Sequence, residues 1–97
     1  MPDMPSNLID GQRLSNEHPD TFHVPSTIEI DQIDVGDYVK IGLEDPEGIG
    51  ERFWVKVNKV LPNTFTGSVE NDLELFPEYP YKCIVGFARR HVLSLGG

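Results

Sequence analysis

The chain has 97 residues, of which 16 are acidic and 8 basic, giving a formal charge of -8; 38% are hydrophobic and a single one is cysteine. This length suits one domain and leaves no room for a second core, so a large catalytic cleft between domains is not expected. Phosphate neutralisation requires clustered Lys and Arg, so the net acidity argues against binding to nucleic acid and to anionic membrane surfaces.

The location of the protein can also be predicted. No apolar run approaches the roughly 20 residues that a membrane helix needs. Residues 1–5 show neither the basic segment nor the apolar stretch of a signal peptide. Cys83 has no partner for an internal disulfide, which fits a reducing compartment. We therefore expect a cytoplasmic protein.

The charge is unevenly distributed along the chain. Residues 1–51 hold 12 acidic and 2 basic side chains (-10), whereas residues 52–97 hold 4 acidic and 6 basic ones (+2). The acidity is therefore a property of the first half.

The first elements are an arm and a short helix. Residues 1–20 are rich in Pro, Gly, Ser and Asn, which predicts a flexible or loosely draped N-terminal arm. Residues 21–24 are able to pair briefly as an edge strand. Ser26 and Glu29 have the spacing of a capping box, which predicts one or two helical turns that end near Gly36.

Alternation of apolar and polar residues then predicts two strands joined by a loop over residues 44–50. The inward positions are Val39, Ile41 and Leu43 on the first strand and Phe53, Val55 and Val57 on the second. Val60 is out of phase with this pattern, so we expect a bulge near Asn58 that brings Val60 back inside.

Three further strands complete the prediction. Residues 61–63 form a turn, and a return strand runs from Phe65 to Val69 with Thr64, Thr66 and Ser68 outward. A loop through residue 80 leads to a strand over 81–87, a tight turn over 88–90 and a short last strand over 91–95. The predicted fold is mainly β: a small half-open SH3-like barrel of about five strands with one short N-terminal helix. Its parts are the arm (1–20), a single β-barrel domain (21–95) and a frayed tail (96–97).

Several short motifs add a resemblance to this prediction. They are TFHVPS at 21–26, GDYVK at 36–40, ERFWVKV at 51–57, FTGSV at 65–69 followed by Asn71-Asp72, and His91-Val92. With them, residues 21–95 resemble an uncharacterised family of small, mainly bacterial, single-domain proteins. The resemblance implies a small β-rich fold and no established activity. The chain departs from it at residues 79–83, where a Gly-Asp turn is expected. The ending at 86–92 resembles the strand, helical turn and strand that close SH3-like barrels.

Trp54 is the most suggestive candidate for a binding residue. If Phe53 and Val55 face inward, Trp54 lies on the outer face with Arg52 and Lys56, and the neighbouring strand is able to add Tyr38 and Lys40. An exposed aromatic side chain flanked by cations is typical of an interface anchor. The alternative is that the arm or the short helix covers this face, and Trp54 then belongs to a second small core.

Two classes of non-catalytic function follow from these features. The leading hypothesis is a module that binds another protein, of unknown identity, through Trp54, Tyr38, Arg52 and Lys56. The alternative is an acidic inhibitor, an immunity-type protein or a nucleic-acid mimic that captures a basic target by electrostatic steering. Its binding residues would be Asp31, Asp34, Asp37, Glu44, Asp45 and Glu47. The sequence does not define the oligomeric state.

Enzymatic and metal-binding functions have weaker support. A nucleophilic Cys83 would need His91 and Asp72 nearby and a lowered thiol pKa, and no motif indicates them. Its alternation with Val85 favours a core cysteine instead, so we expect no enzyme and no catalytic residue. The acidic loop at 44–51 lacks the spacing of a calcium loop. His18 and His23 lack a third metal ligand. We therefore predict no metal and no cofactor.

The last two motifs have structural interpretations. Residues 89–91, Arg-Arg-His, are able to bind an anion, but such residues more often fix a turn through backbone hydrogen bonds. The ending Leu-Gly-Gly at 95–97 is similar to the tail of ubiquitin-like modifiers, yet the long helix of that fold is missing from the pattern.

Overall fold

The structure is a computed structural model, and it describes residues 4–96. Five antiparallel strands form one open sheet in the order β4-β3-β2-β1-β5. The strands are β1 (Tyr38–Glu44), β2 (Gly50–Val60), β3 (Thr64–Val69), β4 (Ile84–Ala88) and β5 (Ser94–Leu95). Two helices, α1 (Gly11–Glu17) and α2 (Thr27–Asp31), precede the sheet, and a 3-10 turn (Arg89–His91) joins β4 to β5. The mainly β class is confirmed, with one helix more than predicted.

One face of the sheet encloses the hydrophobic core. All the positions predicted to face inward on the first two strands are buried, and Ile30 and Ile33 from α2 and its C-terminal side pack against them. The rings of Phe65 and Phe87 stack with their centroids 5.4 Å apart. Burial of each such side chain stabilises the fold by roughly 1.5–3 kcal/mol.

The capping box of α2 is confirmed. The Ser26 hydroxyl accepts a hydrogen bond from the Glu29 amide at 3.2 Å, and the Glu29 carboxylate accepts one from the Ser26 amide at 3.0 Å. The helix ends at Asp31, well before Gly36. Gly36 instead forms the turn into β1, with φ +95° and its N–H donated to the Val57 carbonyl.

The bulge in β2 is confirmed, but its expected effect on Val60 is wrong. The register with β3 shifts between Val57 and Lys59. Val60 then pairs with Phe65, on the side of the sheet that faces the core. It remains 43% exposed because it is the last residue of the strand, beside the turn over 61–63.

Two residues of β3 have roles that alternation did not predict. Thr66, expected to point outward, is buried and donates its hydroxyl proton to the Asn58 side chain. Gly67 lies so close to β2 that a Cβ there would be 2.7 Å from the Lys56 carbonyl oxygen. The lack of a side chain at Gly67 therefore allows β3 to approach β2 closely beside the bulge.

The C-terminal strands are shorter than expected. β4 begins at Ile84 rather than at residue 81, and β5 has two residues instead of the predicted five. The edge strand predicted near the N-terminus, over residues 21–24, does not form. Lys82, just before β4, has a left-handed backbone with φ +72°. This lies within the segment where the family resemblance implied a Gly-Asp turn, and glycine favours that conformation.

The N-terminal segment differs most from its prediction. Within residues 4–20, expected as an arm, α1 forms with the Asp10 side chain as its N-cap, and Ile9 is 6% exposed. The Ile9 amide donates to the Gly42 carbonyl at 2.9 Å, and the Glu44 amide donates to the Asn7 carbonyl at 3.0 Å. Residues 7–9 therefore lie along β1 as part of the fold, while residues 1–3 of the predicted arm lie outside the described residues.

The C-terminal segment occupies the same edge of β1. The Leu93 amide donates to the Lys40 carbonyl and the Gly96 amide to the Tyr38 carbonyl, each at 2.8 Å. Gly96, expected to fray, is thus hydrogen-bonded to β1, and Gly97 lies outside the described residues. No helix within residues 4–96 is long and apolar enough to cross a membrane.

Candidate functional site: an aromatic and cationic strand face

The side of β1 and β2 that faces away from the core carries the predicted binding residues. The strand register places Tyr38 opposite Lys56 and Lys40 opposite Trp54. Opposite residues in an antiparallel pair share a face, and Arg52 joins them two residues before Trp54. We call these five side chains the outer-face patch. The structure therefore brings together Trp54, Tyr38, Arg52 and Lys56, with Lys40, which was also expected on this face, at the centre.

Contacts between cations and rings organise the patch. The Lys40 ammonium lies 4.9 Å from the centroid of the Trp54 ring, and the Lys56 ammonium lies 6.0 Å from that of Tyr38. These distances are typical of cation-π contacts, worth about 0.5–1 kcal/mol at exposed sites. The lysines thus hold both rings in place and remain available to a ligand.

The N-terminal segment covers one end of this face. A Cβ on Gly42 would lie 2.7 Å from Ile9 Cδ1, so Ile9 occupies the surface above Gly42. Next to it, the Arg52 guanidinium stacks on Phe22, with its carbon 5.2 Å from the ring centroid. The alternative in which the arm covers the face therefore applies to this end of the face, which lies beyond Trp54.

The other end of the face is open. Tyr38 is 42% exposed, Lys56 is exposed, and Trp54 is half-buried. The Trp54 ring passes close to Gly96, where a Cβ would be 3.4 Å from it. Trp54 is therefore neither a fully exposed interface anchor nor a member of a buried second core: it is partly packed, and its neighbourhood remains accessible.

The cations of the patch differ from most other cations of the chain. Salt bridges pair Arg13 with Glu17, Lys82 with Glu70, Arg89 with Asp31, and Arg90 with Asp10. Among residues 4–96, Lys40, Arg52 and Lys56 have no carboxylate within 4.0 Å, and the neighbouring Lys59 is the one other cation of which this is true. In a chain with twice as many acidic as basic residues, this face keeps its positive charge unpaired.

Glu70 lies beside the Lys56 end of the patch. Glu70 accepts hydrogen bonds from the Lys82 ammonium at 2.8 Å and from the Ser68 hydroxyl at 2.8 Å. The Lys82 hydrogen bond, with that of Ser68 and the charge of Lys56, lowers the pKa of Glu70. The hydrogen bond to Glu70 in turn raises the pKa of Lys82. Glu70 is therefore engaged by Lys82 and leaves Lys56 without a close partner.

A shallow pocket of about 210 Å³ adjoins Tyr38. It lies between α2, the start of β1 and the end of β5, and its lining residues are Glu29, Gln32, Ile33, Asp37, Tyr38, Leu95 and Gly96. The carboxylates of Glu29 and Asp37 make this end of the face acidic.

The acidic residues of the alternative hypothesis serve largely as local structural groups. The Asp45 carboxylate accepts from the amides of Glu47 and Ile49, both at 2.9 Å, and so closes the β1–β2 loop. The Asp37 carboxylate accepts from the Asp34 amide at 2.9 Å. Asp31 is held by the Arg89 guanidinium at 2.6 Å. Glu44, the last residue of β1, is half-buried.

The fold does not bring together Cys83, His91 and Asp72, the residues considered for nucleophilic chemistry. Cys83 precedes β4 and His91 follows it, so the strand separates them by on the order of 15 Å. Burial raises the pKa of the Cys83 thiol, which disfavours the thiolate. Cys83 is half-buried against the core, and Asp72 is exposed in the β3–β4 loop.

The remaining candidates are surface or turn residues. His18 and His23 are exposed, and residues 4–96 contain no group of three or more potential metal ligands. His91 is buried, and its Nδ1 accepts from the Ala88 amide at 2.9 Å. Within Arg-Arg-His, the histidine thus fixes the turn and both arginines are salt-bridged.

Two residues that contact the outer-face patch, Phe22 and Gly96, were not predicted from the sequence. Both lie far in sequence from β2 and meet it through the tertiary fold, so no local pattern indicates them. The pairing of Lys40 with Trp54, in contrast, follows from centring the β1–β2 hairpin on its loop.

Comparisons with known proteins gave no match, either to protein-family models, to curated proteins or to solved structures.

Proposed function

We propose that this protein is a non-catalytic interaction module that binds another protein through the outer-face patch. The observation that carries the proposal is the register of β1 and β2, which aligns Trp54 with Lys40 and Tyr38 with Lys56 on one accessible face. Aromatic rings and arginine are the side chains most enriched in binding hot spots. Their fixed geometry reduces the entropy that is lost when a partner binds.

We also propose that the sheet is a small half-open SH3-like barrel. The strand order β4-β3-β2-β1-β5 and the 3-10 turn between the last two strands support this assignment. In such an architecture the outer face of β1 and β2 is a rigid platform.

The proposal is tested by recovery of a partner from a lysate on immobilised protein. Trp54→Ala and Tyr38→Ser should each abolish recovery of whatever partner the unmodified protein retains. Arg13→Ser is the control, because Arg13 is an exposed cation that lies on α1 and outside the patch. Circular dichroism of each variant establishes whether it is folded. Unchanged recovery by folded Tyr38→Ser and Trp54→Ala would sink the proposal.

A further inference from the structure

We infer that the outer-face patch recognises an extended acidic segment of its partner, with carboxylates at alternate positions. This inference rests on the proposed function and specifies the chemistry of the partner. Its starting point is the contrast described above: the three cations of the patch are without a carboxylate within 4.0 Å among residues 4–96, although the chain has 16 acidic residues.

The spacing of these cations fits a strand-like ligand. Arg52 and Lys56 are four residues apart on β2, about 14 Å at the rise of an antiparallel strand. Lys40 lies opposite Trp54, midway between them. The backbone positions of the three cations therefore follow one another in steps of about 7 Å along the strand direction, with Lys40 on the neighbouring strand, and this is the spacing of side chains i, i+2 and i+4 on one face of an extended chain.

The aromatic rings provide the non-polar part of the same surface. Trp54 lies between Arg52 and Lys56 on β2, and Tyr38 lies beside Lys56. The aliphatic parts of an extended segment can pack on these rings while its carboxylates meet the ammonium groups. A Lys40 ammonium placed over the Trp54 ring is positioned to contact a carboxylate on its other side.

The net charge of the chain does not oppose a short acidic ligand. At about 0.15 M salt the screening length is about 8 Å, so the nearby cations dominate over the acidic residues elsewhere on the surface. A nucleic-acid strand is also an anion and also stacks on aromatic rings. Its continuous phosphate charge would extend beyond the patch toward Glu29 and Asp37 at the acidic pocket, where it would be repelled at short range.

The experiment uses the fluorescence of Trp54, the single tryptophan of the chain. The probe is a nine-residue peptide, Gly-Ser-Glu-Ser-Glu-Ser-Glu-Ser-Gly, with a matched peptide in which Gln replaces each Glu and an oligo-dT strand as the competing anion. We expect a saturable change in fluorescence with the Glu peptide, weakened by added salt, and none with the Gln peptide. The combined variant Lys40→Gln, Arg52→Gln, Lys56→Gln should weaken binding about ten-fold, because each exposed ion pair accounts for about a two- to threefold change. Arg13→Gln, at an exposed cation of α1 outside the sheet, should leave binding unchanged.

Other outcomes overturn the inference. Equal binding of the Glu and Gln peptides, no saturable binding of the Glu peptide, or tighter binding of oligo-dT would each exclude an acidic segment as the ligand. If the Glu peptide fails while recovery of a lysate partner still depends on Tyr38 and Trp54, the partner chemistry is wrong and the interaction module stands. If the peptide binds but that recovery is independent of both residues, the proposed function fails instead.

Discussion

The Nδ1 atom of the buried His91 accepts a hydrogen bond from the backbone N–H of Ala88, 2.9 Å away, within the turn that joins β4 to β5. This contact requires a deprotonated Nδ1. Burial and the charge of Arg90 lower the pKa of His91, and the charge of Asp10 offsets part of this effect.

The hydrogen bond predicts a stability that depends on pH. In the unfolded chain His91 titrates near pH 6.5, and its pKa is lower in the folded state. The folded state therefore binds fewer protons, so the contribution of His91 is complete above about pH 6.5 and is lost as the pH falls through the folded pKa. Urea unfolding at pH 7.5 and pH 5.5 should give the lower free energy of unfolding at pH 5.5.

His91→Asn isolates this effect, because an amide oxygen can accept the Ala88 proton without titrating. We expect the variant to lose about 1 kcal/mol at pH 7.5 and to show a smaller decrease between the two pH values. His18→Asn, at an exposed position, is the control. An equal pH dependence in the unmodified protein and in His91→Asn would contradict the prediction.

Ile9 tests the role of the N-terminal segment. Its side chain is buried over Gly42, and its amide is bonded to β1. Ile9→Ala should lower the free energy of unfolding by about 2–3 kcal/mol, the usual cost of truncating a buried aliphatic side chain. Met4→Ala, at an exposed position, should change it by less than about 0.5 kcal/mol. Equal stability of the two variants would show that burial of Ile9 against the outer face of β1 does not stabilise the fold.

Glu51 tests the anchoring of the β3–β4 loop. Its carboxylate accepts hydrogen bonds from the backbone amides of Glu74 and Leu75, at 3.1 and 2.9 Å. Glu51→Gln replaces a charged acceptor by a neutral one, so we expect a loss of about 1 kcal/mol and faster hydrogen exchange at these two amides. Glu47→Gln, in the exposed β1–β2 loop, is the matched control, and exchange that is identical in both variants would argue against the anchor.

Lys82 tests the left-handed backbone at the start of β4. Glycine adopts φ +72° without a clash of Cβ, but replacing Lys82 also removes its hydrogen bond to Glu70. The comparison is therefore made in a Glu70→Gln background, where Lys82→Gly should raise the Tm by about 5 °C. In the unmodified background the gain should be smaller, because the ion pair is lost. A lower Tm in the Glu70→Gln background would show that Lys82 is not strained.

Much of the fold was predictable because it depends on local patterns. Alternation of apolar residues identified the inward positions of β1 and β2, and the capping box located the start of α2. The helix α1 was missed because its sequence, GQRLSNE, has no apolar stripe. It packs through Gly11, where a Cβ would lie 2.8 Å from Leu93 Cδ2, and such a long-range contact has no local signature.

The candidate site, like the fold, was predictable where it depends on a local pattern. Alternation placed Trp54, Arg52 and Lys56 on one face, since that inference requires only the period of a strand. Coverage by Ile9 and Phe22 was not predictable in detail, because it depends on where the N-terminal segment crosses the sheet. The absence of close carboxylates around the patch likewise required the positions of the described acidic residues.

The outer edge of β1 has a consequence for the order of folding. It is completed on one half by residues 7–9 and on the other by residues 93–96, through hydrogen bonds at Gly42 and at Lys40. During synthesis the hairpins β1–β2 and β2–β3 can form from neighbouring residues. The hydrogen bond between the Lys40 carbonyl and the Leu93 amide can form only after Leu93 has been added, more than half the chain later. Contacts so distant in sequence slow folding through the entropy of loop closure. Until residue 96 has emerged from the ribosome, the nascent chain therefore exposes the unpaired half of the β1 edge at Tyr38 and Lys40, to which another strand, or a chaperone, can attach.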